Sequence, residues 1–133
     1  MRYTLRRARQ SDVPDILKLI SSATKRGKLL PRPKKELSNV LKYYWVIVDD
    51  KNTIIASCGL EVYNKKLAEI RSLVVSEHAA GLGLGTQLVE RCIREAKQRK
   101  IYEVLSITDR TNMFHRLGFS EQLHGQTALF LRP

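Results

Sequence analysis

The sequence predicts a mixed α/β fold, and three observations carry that prediction. Short β-branched runs alternate with two strongly amphipathic helical stretches. A turn signal, "DDKN", separates two of the runs at hairpin spacing. No repeat, linker or low-complexity tract divides the order β-α-(α)-β-β-β-α-β-α-β, so residues 1–133 read as one domain. With 43% hydrophobic residues, the chain can bury a core without disulfide or metal staples.

The elements follow in order. "YTLRRA" is the first strand, and "SDVPDILKLISSATKRG" a helix that Ser11 or Asp12 can cap. Pro14 falls in its tolerated first turn, Ile16, Leu17, Leu19 and Ile20 form its apolar face, and Gly27 ends it. After the loop at Pro31 and Pro33, a short helical run is predicted near "KKELSNVLKY". "YYWVIVDD" and "TIIASCGLEVY" form a hairpin, and "KLAEIRSLVV" pairs with the second of these through a turn at Asn64 and Lys65. "GTQLVERCIREAKQRK" is the clearest helix, with Leu84, Leu88, Cys92 and Ala96 at four-residue spacing and Glu90–Arg94 and Glu95–Arg99 as exposed pairs. "YEVLSIT" is a strand, "TNMFHRLG" a short helix closed by Gly118, and "TALFLRP" a last strand.

The net charge is the one extreme of composition, +11 from 24 Lys and Arg against 13 Asp and Glu. Such a field draws nucleic acid, anionic membranes and phosphorylated cofactors alike. The basic residues are spread through "LRRARQ", "TKRGKLLPRPKKEL", "NKK" and "REAKQRK", which favours a solvated basic surface. The aromatic residues Tyr43, Tyr44 and Trp45 cluster on one strand as packing groups, so nucleic acid is the disfavoured partner. Cys58 and Cys92 form no CxxC motif, the histidines do not cluster, and no metal site is expected. The N-terminal "MRYTLRRARQSD" lacks the apolar core of a signal peptide, and no stretch nears the roughly 20 apolar residues of a membrane span. A cytoplasmic protein that does not enter the membrane is expected, with room for a homodimer.

The stretch "VVSEHAAGLGLGTQLVERC" holds the main functional signal. Gly81, Gly83 and Gly85 stand between a β-branched strand and a helix, where glycine lets backbone N–H groups approach a bulky anion. A dinucleotide fingerprint would need GxGxxG after a first strand, and a Walker loop would need a lysine before Thr86, so neither reading fits.

The turn resembles the acetyl-CoA turn of the GNAT superfamily of N-acetyltransferases: Arg or Gln, two residues, Gly, one residue, then Gly or Ala. "SLVV" before it, the long helix after it and "FHRLGF" near the end also fall where that family has them, so the resemblance spans nearly the whole chain. Ala80 and Leu82 stand at two positions that are often cationic in the family. "RGKLLPRPKKEL", "AEIRSLVV" and "SITDRTNMFHRLGF" are similar to the acetyltransferase domain of N-acetylglutamate synthases.

The resemblance implies a central, mostly antiparallel sheet flanked by helices and acetyl-CoA as co-substrate. It implies a pyrophosphate cradle of Gly81, Gly83, Leu84, Gly85 and Thr86, with Leu73 and Val75 binding pantetheine through the main chain. It also implies a small amine acceptor, with glutamate favoured. Glu69, on the strand beside the cofactor, is the candidate general base; the competing reading is a glutamate that faces solvent or pairs with Arg71. Arg71 shares its face at two-residue spacing and suits a carboxylate, and Lys28, Arg32 and Arg110 are candidates to complete an anion-binding wall. Phe114 stands where many relatives place a tyrosine acid, and His115 reads as a surface residue. Two other readings remain: a silent GNAT-fold module that binds nucleic acid or an acidic partner, and an acetyltransferase for a peptide or polyamine.

Overall fold

The computed structural model describes residues 2–25, 27 and 32–133, so the expectation for Lys28 lies outside the described residues. The chain runs β1 (Thr4–Arg7), α1 (Val13–Lys25), α2 (Lys34–Val40), β2 (Tyr44–Val48), β3 (Ile54–Val62) and β4 (Leu67–Val75). It continues with α3 (Leu84–Gln98), β5 (Glu103–Ser106) and α4 (Thr111–Arg116), then the two-residue strands β6 (Gln122–Leu123) and β7 (Gln126–Thr127). One five-stranded sheet has the order β1-β2-β3-β4-β5. Its pairs are antiparallel except β4–β5, which is parallel and needs the α3 crossover between its strands.

Each side of the sheet carries a core. Val13, Ile16, Ile20 and Ala23 of α1 pack with Leu37 of α2 and with Tyr44, Val46 and Val74 of the sheet. On the opposite side, Leu84, Leu88, Val89, Cys92 and Ala96 of α3 pack with Trp45, Cys58, Leu60 and Ile70. Cys58 and Cys92 are free and buried, their Sγ atoms 3.8 Å apart.

Asp12 does not cap α1 as the sequence pattern predicts. Arg6 Nη1 and Nη2 donate to its carboxylate at 2.8 and 3.0 Å, and the Arg9 N–H donates to Oδ2 at 2.7 Å. The Arg6 bond, opposed by burial, holds the Asp12 carboxyl below its ordinary value. Because the folded pKa is the lower one, this stabilisation is present above about pH 4 and fades as pH falls through the folded value. Asp12→Ala is therefore expected to cost about 1.5–3 kcal/mol in urea unfolding at pH 7, with the wild-type advantage shrinking in acid. An advantage independent of pH would contradict this account.

Two further expectations change. Glu95 does pair with Arg99, at 2.7 Å, but only the arginine is exposed: the carboxylate is buried and also accepts from Arg7 and Arg91. These guanidiniums cover the aromatic cluster, Arg91 lying 4.7 Å from the Trp45 ring centroid and Arg99 4.0 Å from that of Tyr43. The covered faces are thus engaged in cation–π contacts. Glu90 and Arg94 form no ion pair among the described residues.

The predicted last strand also fails to join the sheet. Only Gln126–Thr127 pairs, with Gln122–Leu123, across a His124–Gly125 turn in which both residues have positive φ. Residues 128–133 lie outside regular structure, with Leu129, Phe130 and Leu131 exposed. Apolar composition alone does not supply the ladder partner that a strand requires.

Two irregularities of β4 shape the site. Arg71 pairs with Gly59 and Val74 with Ser57, so Ser72 and Leu73 together oppose the single residue Cys58. This is a bulge, and Ser72 adopts φ 58° within it. Pairing with β5 ends at Ile70↔Ser106, while β4 continues to Val75. Arg71 to Val75 therefore border an open gap between two parallel strands.

Candidate active site

A cleft of about 850 Å³ occupies that gap, with Glu69, Arg71, Leu73 and Val75 of β4 on one wall and Arg110 and Phe114 on the other. Glu69 pairs across the ladder with Glu61 and Arg71 with Gly59, so both project on the α1/α2 face, as period-two spacing predicts. The bulge shifts the alternation by one residue. Leu73 and Val75 consequently face the α3 side, where they pack against its core.

Glu69 has a partner, but it is not Arg71: the Tyr63 hydroxyl donates to Oε1 at 2.5 Å. Burial and this contact push the Tyr63 hydroxyl up to about 12, so it stays protonated and remains a donor. One carboxylate oxygen is thereby engaged. Arg71 instead bonds Glu61 Oε1 through Nη1 at 3.3 Å, and a third of its side chain remains exposed.

Arg32 lines the same cleft, but its guanidinium is engaged by protein groups. Its side chain is 3% exposed, and Nη1 lies 2.5 Å from Glu61 Oε2, 2.7 Å from the Tyr44 hydroxyl and 3.1 Å from Ser72 Oγ. Nη2 also pairs with Glu36. Burial opposes the Arg32 charge, but the Glu61 contact outweighs it and the pKa is raised. Burial likewise pushes Glu61 up, while Arg32 and Tyr44 pull it further down, so it is ionised at neutral pH. Arg32 is thus a tie between the α1–α2 loop, β2, β3 and the bulge, while Arg71 keeps a third of its side chain exposed in the same cleft.

Gly59 makes this network fit. Tyr44 is its cross-strand partner, and a Cβ at Gly59 would fall 2.0 Å from the Tyr44 ring. Because Tyr44 is fully buried, its ring has no free space to retreat into. Gly59→Ala is expected to destabilise the fold by about 3 kcal/mol, the upper end for overpacking, and an unchanged melting temperature would contradict the assignment.

The glycine turn closes the opposite end. Gly81 and Gly83 have φ values of 80° and 77°, with open space where a Cβ would stand. Gly83 precedes α3 without any side-chain cap, and the first intrahelical acceptance from this end is Gln87 N–H to Gly83 O at 3.2 Å. The amides of Leu84, Gly85 and Thr86 therefore present the unpaired donors of a 15-residue helix. They line a second cleft of about 470 Å³, which shares Val75, Ala80, Asp109 and Arg110 with the first. An uncapped helix start with glycine clearance fits an anionic phosphate group.

Phe114 is buried, meets Phe119 edge to face at 5.0 Å and lines the larger cleft without a proton to donate. His115 is exposed and contacts Glu121, as a surface residue does. Among the described residues no group of three or more His, Cys, Asp or Glu is placed to hold a metal. Among these residues no helix is long and apolar enough to cross a membrane either.

A gap between two parallel strands beyond a bulge, with a glycine turn at an uncapped helix beside it, fits an elongated phosphorylated co-substrate. Residues 13–119 match the Acetyltransferase (GNAT) family, and the chain belongs to it. As in that family, the protein is an N-acetyltransferase with acetyl-CoA as co-substrate. It is 35% identical over 123 residues to an amino-acid acetyltransferase of Mycobacterium tuberculosis, spanning 90% of this chain and 70% of that one. Its fold superposes on the crystal structure of Rv2747 from Mycobacterium tuberculosis in complex with CoA, with a TM-score of 0.83 and 30% identity, covering 90% of this chain and 73% of the other. A likeness of fold alone extends to N-acetylglutamate synthase of Neisseria gonorrhoeae, with a TM-score of 0.76 and 24% identity over 88% of this chain and 28% of that one.

Proposed function

We propose that the protein transfers the acetyl group of acetyl-CoA to the α-amine of a free amino acid, with glutamate the favoured acceptor and amino-acid biosynthesis its setting. The observation that carries this reading is the pairing of Glu69 and Arg71 on one face of β4, at the mouth of the gap beyond β5. One is a proton acceptor and the other a partly exposed carboxylate receptor two residues away. The names of the amino-acid acetyltransferase relatives support it.

In this reading Arg71 holds an acceptor carboxylate by charge-assisted bonds while Glu69 takes a proton from the ammonium. Tyr63 fixes one oxygen of Glu69 and leaves the other for the proton. The freed amine attacks the thioester carbon, the N–C bond forms, the C–S bond breaks, and the second proton lost by the nitrogen passes through water to the thiolate, because Phe114 has none to give. Leu73 and Val75 line the gap where main-chain bonds would hold the pantetheine arm. Gly81, Gly83, Leu84, Gly85 and Thr86 form the turn that would receive the pyrophosphate.

A thiol-release assay with acetyl-CoA against single amino acids, polyamines and short peptides tests the proposal. Glutamate is expected to give the highest kcat/KM. Turnover confined to polyamines or peptides would overturn the acceptor assignment.

A further inference from the structure

The cofactor turn lacks the cations that usually stand at its first and third positions. Ala80 and Leu82 occupy them, and Leu82 is half exposed. A pyrophosphate on the α3 amides alone would have dipoles and hydrogen bonds but no neighbouring full charge.

Two arginines outside the turn, Arg110 and Arg116, line the cleft beside it, and Arg110 also lines the larger cleft. Arg110 lies between β5 and α4, and its Nη1 is 3.3 Å from the point where a Cβ on Gly85 would stand. That places a guanidinium nitrogen beside Gly85, in the first turn of α3. The backbone beneath it is fixed, because the Arg110 N–H donates to Thr108 Oγ1 at 2.9 Å and its carbonyl accepts from the buried Phe114 at 3.2 Å. Arg110 and Ala80 line the same two clefts. No carboxylate forms an ion pair with Arg110 among the described residues. The adjacent Asp109 also faces the clefts, but it is engaged in an interaction of its own.

We propose that Arg110 supplies the cation that Ala80 does not, pairing with the pyrophosphate of acetyl-CoA across the turn at Gly85. The inference rests on acetyl-CoA as co-substrate and moves Arg110 from the acceptor wall to the cofactor. It also accounts for Gly85: a side chain there would compete with the guanidinium for the space above the amides.

Calorimetric titration with CoA and kinetics with two acetyl donors test the proposal. S-acetylpantetheine carries the thioester but no pyrophosphate. Arg110→Ala is expected to weaken CoA binding by about 10-fold or more, with a smaller loss at high salt, and to lower kcat/KM with acetyl-CoA far more than with S-acetylpantetheine. Arg110→Lys should keep most of the affinity, which separates charge from folding. Ala80→Arg should add little to wild type yet restore binding in the Arg110→Ala background, because one cation replaces the other.

Wild type that binds CoA together with Arg110→Ala that binds it equally well would overturn the Arg110 assignment alone. So would a loss that falls on the acceptor KM, or a double variant that is not restored. Wild type that fails to bind CoA would overturn the cofactor reading itself, and the Arg110 assignment with it.

Discussion

Glu69→Gln is expected to lower acetyl transfer at neutral pH by about 10²-fold or more, while acetyl-CoA binds as it does to wild type. The substitution keeps the shape of the side chain and its acceptor for the Tyr63 hydroxyl, so the local fold should persist. What it removes is a group able to take a proton. An acceptor amine is an ammonium ion at neutral pH, without the lone pair that must reach the thioester, and in the proposed mechanism the Glu69 carboxylate, which lines the cleft, accepts the proton. The loss should therefore fall on kcat and be partly recovered as pH rises and free amine accumulates. Unchanged turnover, or an equal loss in acetyl-CoA affinity, would remove Glu69 from the chemistry.

Arg71→Ala is expected to raise the KM for a carboxylate acceptor by about 10- to 100-fold, the equivalent of one lost charge-assisted contact at about 1.5–3 kcal/mol, with little change in the KM for acetyl-CoA. Glu61 loses one partner in this variant but keeps Arg32 and Tyr44, so no buried carboxylate is left unpaired. The fold should survive. Equal effects on both substrates would make Arg71 a structural partner of Glu61 instead.

The glycine turn and the helix after it were legible in the sequence because their signals are local. Gly81, Gly83 and Gly85 precede a helical apolar period at once, and α3 begins at Leu84 as that pattern requires. The shared face of Glu69 and Arg71 was legible for the same reason, since strand alternation depends on spacing alone. The bulge at Ser72 was not, because an extra residue is a property of two strands in register and serine is no marker of positive φ.

Nor could spacing show what becomes of the arginines. Arg32 and Arg110 read alike as candidates for an anion-binding wall, yet one is buried against Glu61 and the other stands beside Gly85. The difference lies in contacts between segments far apart in the chain, Arg32 with β3 and Arg110 with α3. The tail shows the converse error: "TALFLRP" has strand composition, but only its first residue belongs to a ladder, in a separate ribbon.

The claim that an acceptor carboxylate is read beside Glu69 is tested most directly by comparing kcat/KM for L-glutamate with that for its α-carboxamide at saturating acetyl-CoA. Replacing the carboxylate by an amide removes the charge that Arg71 would bind and leaves the amine and side chain in place. The account predicts a loss of about 10-fold or more in wild type and little further loss when the amide is offered to Arg71→Ala. Equal kcat/KM for the two acceptors in wild type would contradict it.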